Sequence, residues 1–87
     1  MKSELLHIVA YDIADNRRRF RAADTLLNIG ARMGLSLFEL RIEPKLASQT
    51  VREVSSILDT NTDRIHLYRI CANCERFNEF HGLKWGR

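Results

Sequence analysis

Apolar and polar positions recur with two different periods along this chain, and the changes of period mark its elements. Leu5 to Tyr11 is short, apolar and partly β-branched, which reads as a strand buried on both faces. Leu6, Ile8 and Ala10 share one parity, which Asp12 continues; Leu5, His7, Val9 and Tyr11 share the other. Asp15 and Asn16 are good N-caps. From Arg17 to Ile29, Phe20, Ala23, Leu26 and Leu27 recur at helical spacing, and Gly30 stands where a C′ glycine would stop a helix. Leu35 to Ile42 returns to alternation, with Ser36, Phe38, Leu40 and Ile42 on one face and Leu37, Glu39 and Arg41 on the other. After Pro44 the pattern predicts a helix over Leu46–Leu58, with Ala47, Val51, Val54 and Leu58 on one stripe. Its start is open: Thr50-x-x-Glu53 resembles a capping box, and a start nearer Pro44 fits equally well. Residues 59–63 form a polar turn, and Arg64 to Cys71 is a further strand with Ile65 and Leu67 on one face.

The order strand, helix, strand, helix, strand points to an α+β fold with helices on one face of a sheet, best matched by a ferredoxin-like βαββαβ sandwich. That topology needs one more strand, expected between Leu35 and Leu46 with a sharp bend near Glu39 to Arg41. Residues 1–75 make the domain, and 76–87 a tail carrying Phe77, Phe80 and Trp85. A sheet with helices on one side leaves its other face open. The first strand is apolar on both parities, so a second copy of the chain is the simplest cover. At 87 residues the core is thin, which also favours a homodimer.

Composition narrows the class without deciding it. Hydrophobic residues at 45% and charged residues at 29% exclude a disordered chain. No apolar run approaches the roughly 20 residues needed to span a bilayer, and Met1–Leu6 lacks the pattern of a secretory signal; the expected location is the cytoplasm, with no membrane partner. The net charge of +3 permits an anionic partner. Cys71 and Cys74 have C-x-x-C spacing, but no second pair completes a zinc site, and His7, His66 and His81 are scattered. In a reducing cytosol the two thiols read as structurally incidental.

Asp12 is the sharpest chemical feature. It ends an apolar strand, where open α/β sheets place functional groups; the plain alternative is that it caps the turn that follows. Arg17, Arg18, Arg19 and Arg21 crowd the start of the first helix, where cations oppose the helix dipole and repel one another. A phosphate backbone would relieve both penalties. A carboxylate beside a basic cluster suits metal-assisted phosphodiester chemistry. Mg²⁺ binds through one or two carboxylates, waters and substrate phosphate. One Asp is a poor site, whereas two Asp12 side chains meeting across a two-fold axis would be a better one.

The ordered set Tyr11-Asp12-Ile13-Ala14-Asp15, Arg19-Phe20-Arg21, Ser36-Leu37-Phe38-Glu39, Asp63 to Tyr68 and Cys71-Ala72-Asn73-Cys74 resembles the CRISPR-associated Cas2 family of small metal-dependent endonucleases. The likeness runs from about Leu5 to Cys74. It implies a ferredoxin-like homodimer in which Asp12 of both subunits holds one Mg²⁺ or Mn²⁺, and a C-terminal strand that pairs with the partner's sheet. It places functional arginines at Arg19, Arg21 and Arg32, and a residue needed for activity at Phe38. It further implies cleavage of single-stranded RNA or double-stranded DNA, and a scaffold role beside the Cas1 integrase in spacer acquisition. The run Arg32-Met33-Gly34-Leu35 departs from the family pattern, since Gly34 weakens a strand start. Two other readings stand beside the nuclease: a non-catalytic DNA-binding scaffold, and a ferredoxin-like RNA-binding or toxin-type ribonuclease module unrelated to CRISPR.

Overall fold

A computed structural model describes residues 3–83. The elements are β1 (Leu5–Asp12), α1 (Asn16–Leu27), β2 (Ala31–Gly34), β3 (Leu37–Ile42), α2 (Pro44–Ser55), β4 (Arg64–Ile70) and a one-turn α3 (Ala72–Glu75). The sheet has the order β2-β3-β1-β4, and every neighbouring pair is antiparallel. This is the ferredoxin-like βαββαβ arrangement that the alternation of elements predicts.

Alternation along β1 decides which face the helices cover. His7, Val9 and Tyr11 are buried, while Ile8 and Ala10 are only half-buried. On β3 the buried parity is Phe38, Leu40 and Ile42. Ala22, Ala23 and Leu26 of α1, with Ala47 and Val54 of α2, complete the core on that side. Small alanines let both helices approach the sheet closely, and the large side chains come mainly from the strands. The opposite face presents Ile8, Ala10, Leu37, Tyr68 and Ile70 with no helical layer over it among the described residues. Leu6 shares that parity yet is buried, at the end of β1 where α3 packs.

The missing strand lies elsewhere than expected. β3 runs without a bend through Glu39 to Arg41, and the extra strand, β2, precedes it. Leu35 and Ser36 make the hairpin turn, with Gly34 opposite Leu37. A register shift between Arg32 and Gly34 absorbs one extra residue. Gly34 therefore ends a strand at a turn, where its weak strand preference costs little.

The start of α2, open in the sequence, falls at one of its two candidates, and the expectations for Gly30 and Phe20 change. α2 starts at Pro44, whose fixed φ suits the first helical position. Thr50 sits mid-helix, its hydroxyl donating to Leu46 O at 2.9 Å, so Thr50 and Glu53 form no capping box. Gly30 is not a left-handed cap, because α1 ends at Asn28 in a right-handed conformation. A Cβ at Gly30 would instead strike Leu40 Cδ2 and the Glu39 carbonyl, so the glycine is required for close approach to β3. Phe20, assigned to the helix's apolar stripe, is 73% exposed.

Beyond α3, residues 76–83 form no strand in the single chain; the expected C-terminal strand is one that pairs with a partner's sheet, and Trp85 lies outside the described residues. Phe80 and Asn78 instead line a shallow cleft of about 240 Å³ with Ile8, Leu37 and Ile70 on the open sheet face. Arg41 holds this end in place through a two-pronged ion pair with Glu75, Nη1 donating to Oε1 at 2.9 Å and Nη2 to Oε2. The Arg41 guanidinium also holds the Glu75 carboxyl below its ordinary value.

Candidate active site

The end of β1 is fixed from three directions. Tyr11 N donates to Ser36 O at 3.1 Å, tying the strand to the β2–β3 turn. Arg19 Nη1 donates to Ile13 O at 2.6 Å. Ala14 N donates to Asp63 Oδ1 at 2.9 Å, across 49 residues. Asp15 then caps α1 as expected, its Oδ2 accepting from Arg18 N at 3.0 Å. Because Asp15 supplies the cap, Asp12 is released from that duty. Among the described residues no hydrogen bond or ion pair engages the Asp12 carboxylate, which is exposed.

A cavity of about 340 Å³ opens there, lined by Tyr11, Asp12, Ile13, Arg19, Phe20, Arg32, Leu35 and Ser36. The structure thus brings Asp12, Arg19 and Arg32 to one place from β1, α1 and β2. Arg32 lies with its guanidinium carbon 5.2 Å from the Phe38 ring centroid, and Phe38 stacks on Tyr11 at 5.9 Å between centroids. Arg32 Nε is buried and has no acceptor among the described residues. A buried donor without a partner carries a desolvation penalty that an anion in the cavity would remove.

Not every expected site residue arrives. Phe38 is fully buried beneath Arg32 and Tyr11 and does not line the cavity. Arg18 is engaged by Asp63: its Nε donates to Oδ2 at 2.8 Å, and it does not line the Asp12 cavity. Arg21 lines a separate concavity with Asp24 and Glu53, between α1 and α2. Residues two apart on a helix are about 200° apart around its axis, so Arg19 and Arg21 cannot both face Asp12. Arg17 lies in a shallower concavity beside the first one, with Asp15, Asn16 and Phe20.

Sequence reading missed Asp63. Its side chain is wholly enclosed and accepts from Arg18, Ala14 N, Asp59 N and the Thr62 hydroxyl. The Arg18 bond is the first cause that holds this carboxyl well below its ordinary value, with the two backbone donors assisting against desolvation. The C-x-x-C pair begins a helix: Cys71 caps α3 through its sulfur, which accepts from Cys74 N at 3.3 Å. The neighbouring Cys74 thiol lowers the Cys71 pKa and is itself raised by Cys71. Among the described residues no three His, Cys, Asp or Glu side chains could together hold a metal ion.

Comparison with known proteins agrees with this fold. The family model described as "CRISPR associated protein Cas2" matches residues 5–77. A "CRISPR-associated endoribonuclease Cas2 4" of Rhodospirillum rubrum is 36% identical over 69 residues, 79% of this chain and 56% of that protein. A "CRISPR-associated endonuclease Cas2 2" of Thermus thermophilus is 34% identical over 70 residues, 80% of this chain and 78% of that one. Among solved structures, Streptococcus pyogenes Cas2 superposes with a TM-score of 0.76 at 25% identity, covering 90% of this chain and all of that one. A hypothetical protein of T. thermophilus superposes with a TM-score of 0.74 at 33% identity, covering 80% and 85%. With its fold and most of its length in agreement, the chain belongs to the CRISPR-associated Cas2 family.

Proposed function

We propose that this protein is a divalent-metal-dependent endonuclease of RNA or DNA that works as a homodimer in CRISPR spacer acquisition, in the cytoplasm and beside the Cas1 integrase. One observation carries the reading: the Asp12 carboxylate is exposed, unengaged among the described residues and placed beside Arg19 and Arg32 at the end of β1. Asp12 has the parity of Ile8 and Ala10, the open face of the sheet. A second copy seated on that face would bring its own Asp12 toward the first.

The donor chemistry fits a hard cation. One carboxylate per chain, completed by that of a second copy, water and substrate phosphate, is what Mg²⁺ or Mn²⁺ accepts. When bound, such an ion polarises the phosphoryl oxygen and activates water. The chain's own residues do the rest. Arg19 and Arg32 hold the charge of the scissile phosphate, and Asp63 and Ser36 O keep the Asp12 loop from moving. Phe38, stacked on Tyr11, supports Arg32 from below. The R. rubrum and T. thermophilus relatives carry endoribonuclease and endonuclease names, which supports phosphodiester cleavage here.

The test is cleavage of labelled single-stranded RNA and duplex DNA with Mg²⁺, Mn²⁺ or chelator, comparing the native chain with Asp12→Ala. Cleavage that needs the metal and disappears in Asp12→Ala supports the nuclease. Equal inertness of both proteins, with retained duplex binding, replaces it with a non-catalytic scaffold.

A further inference from the structure

Phe20 is the largest residue of α1, yet the core does not use it. The buried positions of that helix are Ala22, Ala23 and Leu26. A single exposed apolar side chain is ordinary, but Phe20 is not isolated. It forms a wall of the Asp12 cavity, where Leu35, 77% exposed, is the other exposed apolar lining residue. It also lines the adjoining concavity that contains Arg17. The ring therefore stands on the ridge between two hollows, with Arg19 in one and Arg17 in the other.

An apolar ring between two guanidinium groups, next to a carboxylate suited to a phosphate-bound metal, matches a repeating polymer of flat rings and anionic links. We infer that Phe20 is a base-stacking platform, taking one unpaired base of a single-stranded nucleic acid while Arg17 and Arg19 hold the phosphates on either side. This deepens the nuclease reading and rests on it for the placement of the strand. Every base has a π-face, so the platform discriminates by strandedness and not by sequence. Bases inside a duplex are already stacked on one another and cannot lie on the ring. Phe20 is thus a specificity-determining residue for unpaired substrates, and duplexes engage the arginines alone.

Binding in chelator, without cleavage, tests this separately from catalysis. The probes are a fluorescent single-stranded RNA, the same strand with abasic residues, and a duplex of equal length. Phe20→Ala is expected to weaken binding of the intact single strand on the order of ten-fold, and to leave the abasic strand and the duplex unchanged. Phe20→Tyr is expected to restore the single-strand affinity. Equal weakening on all three probes, or no change on the intact strand, overturns the inference. So does sedimentation showing that Phe20→Ala breaks a dimer, which would give the ring to a protein interface. Equal inertness of the native chain and Asp12→Ala with metal sinks the nuclease reading, while these binding results still decide the role of Phe20.

Discussion

Arg18 Nε donates to Asp63 Oδ2 at 2.8 Å, joining the start of α1 to the turn before β4 across 45 residues. The same carboxylate accepts Ala14 N through its other oxygen, so one side chain holds both the helix and the loop that carries Asp12. A charge enclosed this way is stable only while each acceptor position is filled.

Asp63→Asn should therefore lower the thermal midpoint and also cut activity at the Asp12 site, although Asp63 does not line that cavity. The pH sign follows from the depressed carboxyl. Stability from this group is fully present above the ordinary Asp value of 3.8. It is lost as pH falls below that value, because the unfolded chain takes up a proton that the native one refuses. Melting curves from pH 7 to 2 should show a shallower acid limb in Asp63→Asn than in the native protein. Parallel limbs would show that Asp63 is no special anchor.

The arginine cluster divides by what each guanidinium touches. Arg17→Ala with Arg19→Ala should reduce the slope of log K against log salt by about 0.9 for every duplex DNA phosphate that is no longer neutralised. Arg18→Ala should leave that slope unchanged and lower the melting temperature, since Arg18 is occupied by Asp63. Binding titrations at four or five salt concentrations separate the two behaviours.

The ferredoxin-like fold was legible because β3 and β4 alternate apolar and polar residues, β1 is a short, partly β-branched apolar run, and helical spacing separates them. Asp12 was legible because it is a carboxylate ending an otherwise apolar run. β2 was not, since Ala31–Gly34 has little β-branching and forms only through pairing with β3. Asp63 was not, because the two partners that give it its role, Arg18 and Ala14, lie 45 and 49 residues away. Phe20 was misread because helical spacing reports which residues can share a face, while the depth of the core decides which of them it takes. The roles of Arg18 and Arg21 were hidden for a related reason: basic residues crowded into one stretch look alike until rotation around the helix and the position of Asp63 separate them.

Gly30 is a site where one methyl group should be felt. A Cβ there meets the Leu40 side chain and the backbone of Glu39, neither of which can retreat from a paired strand. Gly30→Ala should cost about 1–3 kcal/mol by overpacking, read as a fall in the denaturant midpoint. A change within a few tenths of a kcal/mol would mean that the α1–β2 connection gives way instead. Gly34→Ala serves as the control, because its nearest neighbour would be Leu37 Cβ at 3.4 Å.

The open face of the sheet can be tested through Ile8. It is half-buried in the single chain, lies opposite Glu39 on β3 and Tyr68 on β4, and lines the cleft beneath Phe80. A second copy seated on this face would bury Ile8, whereas the helix-side core does not contain it. Ile8→Glu places a carboxylate in that interface and beside Glu39, so it adds both a desolvation cost and like-charge repulsion. Sedimentation should change from twice the chain mass to the chain mass, with the far-ultraviolet spectrum retained. Cleavage should fall together with the dimer if Asp12 acts in pairs, and should recover at protein concentrations high enough to restore association. Full activity in a purely monomeric Ile8→Glu protein would mean that one Asp12 suffices.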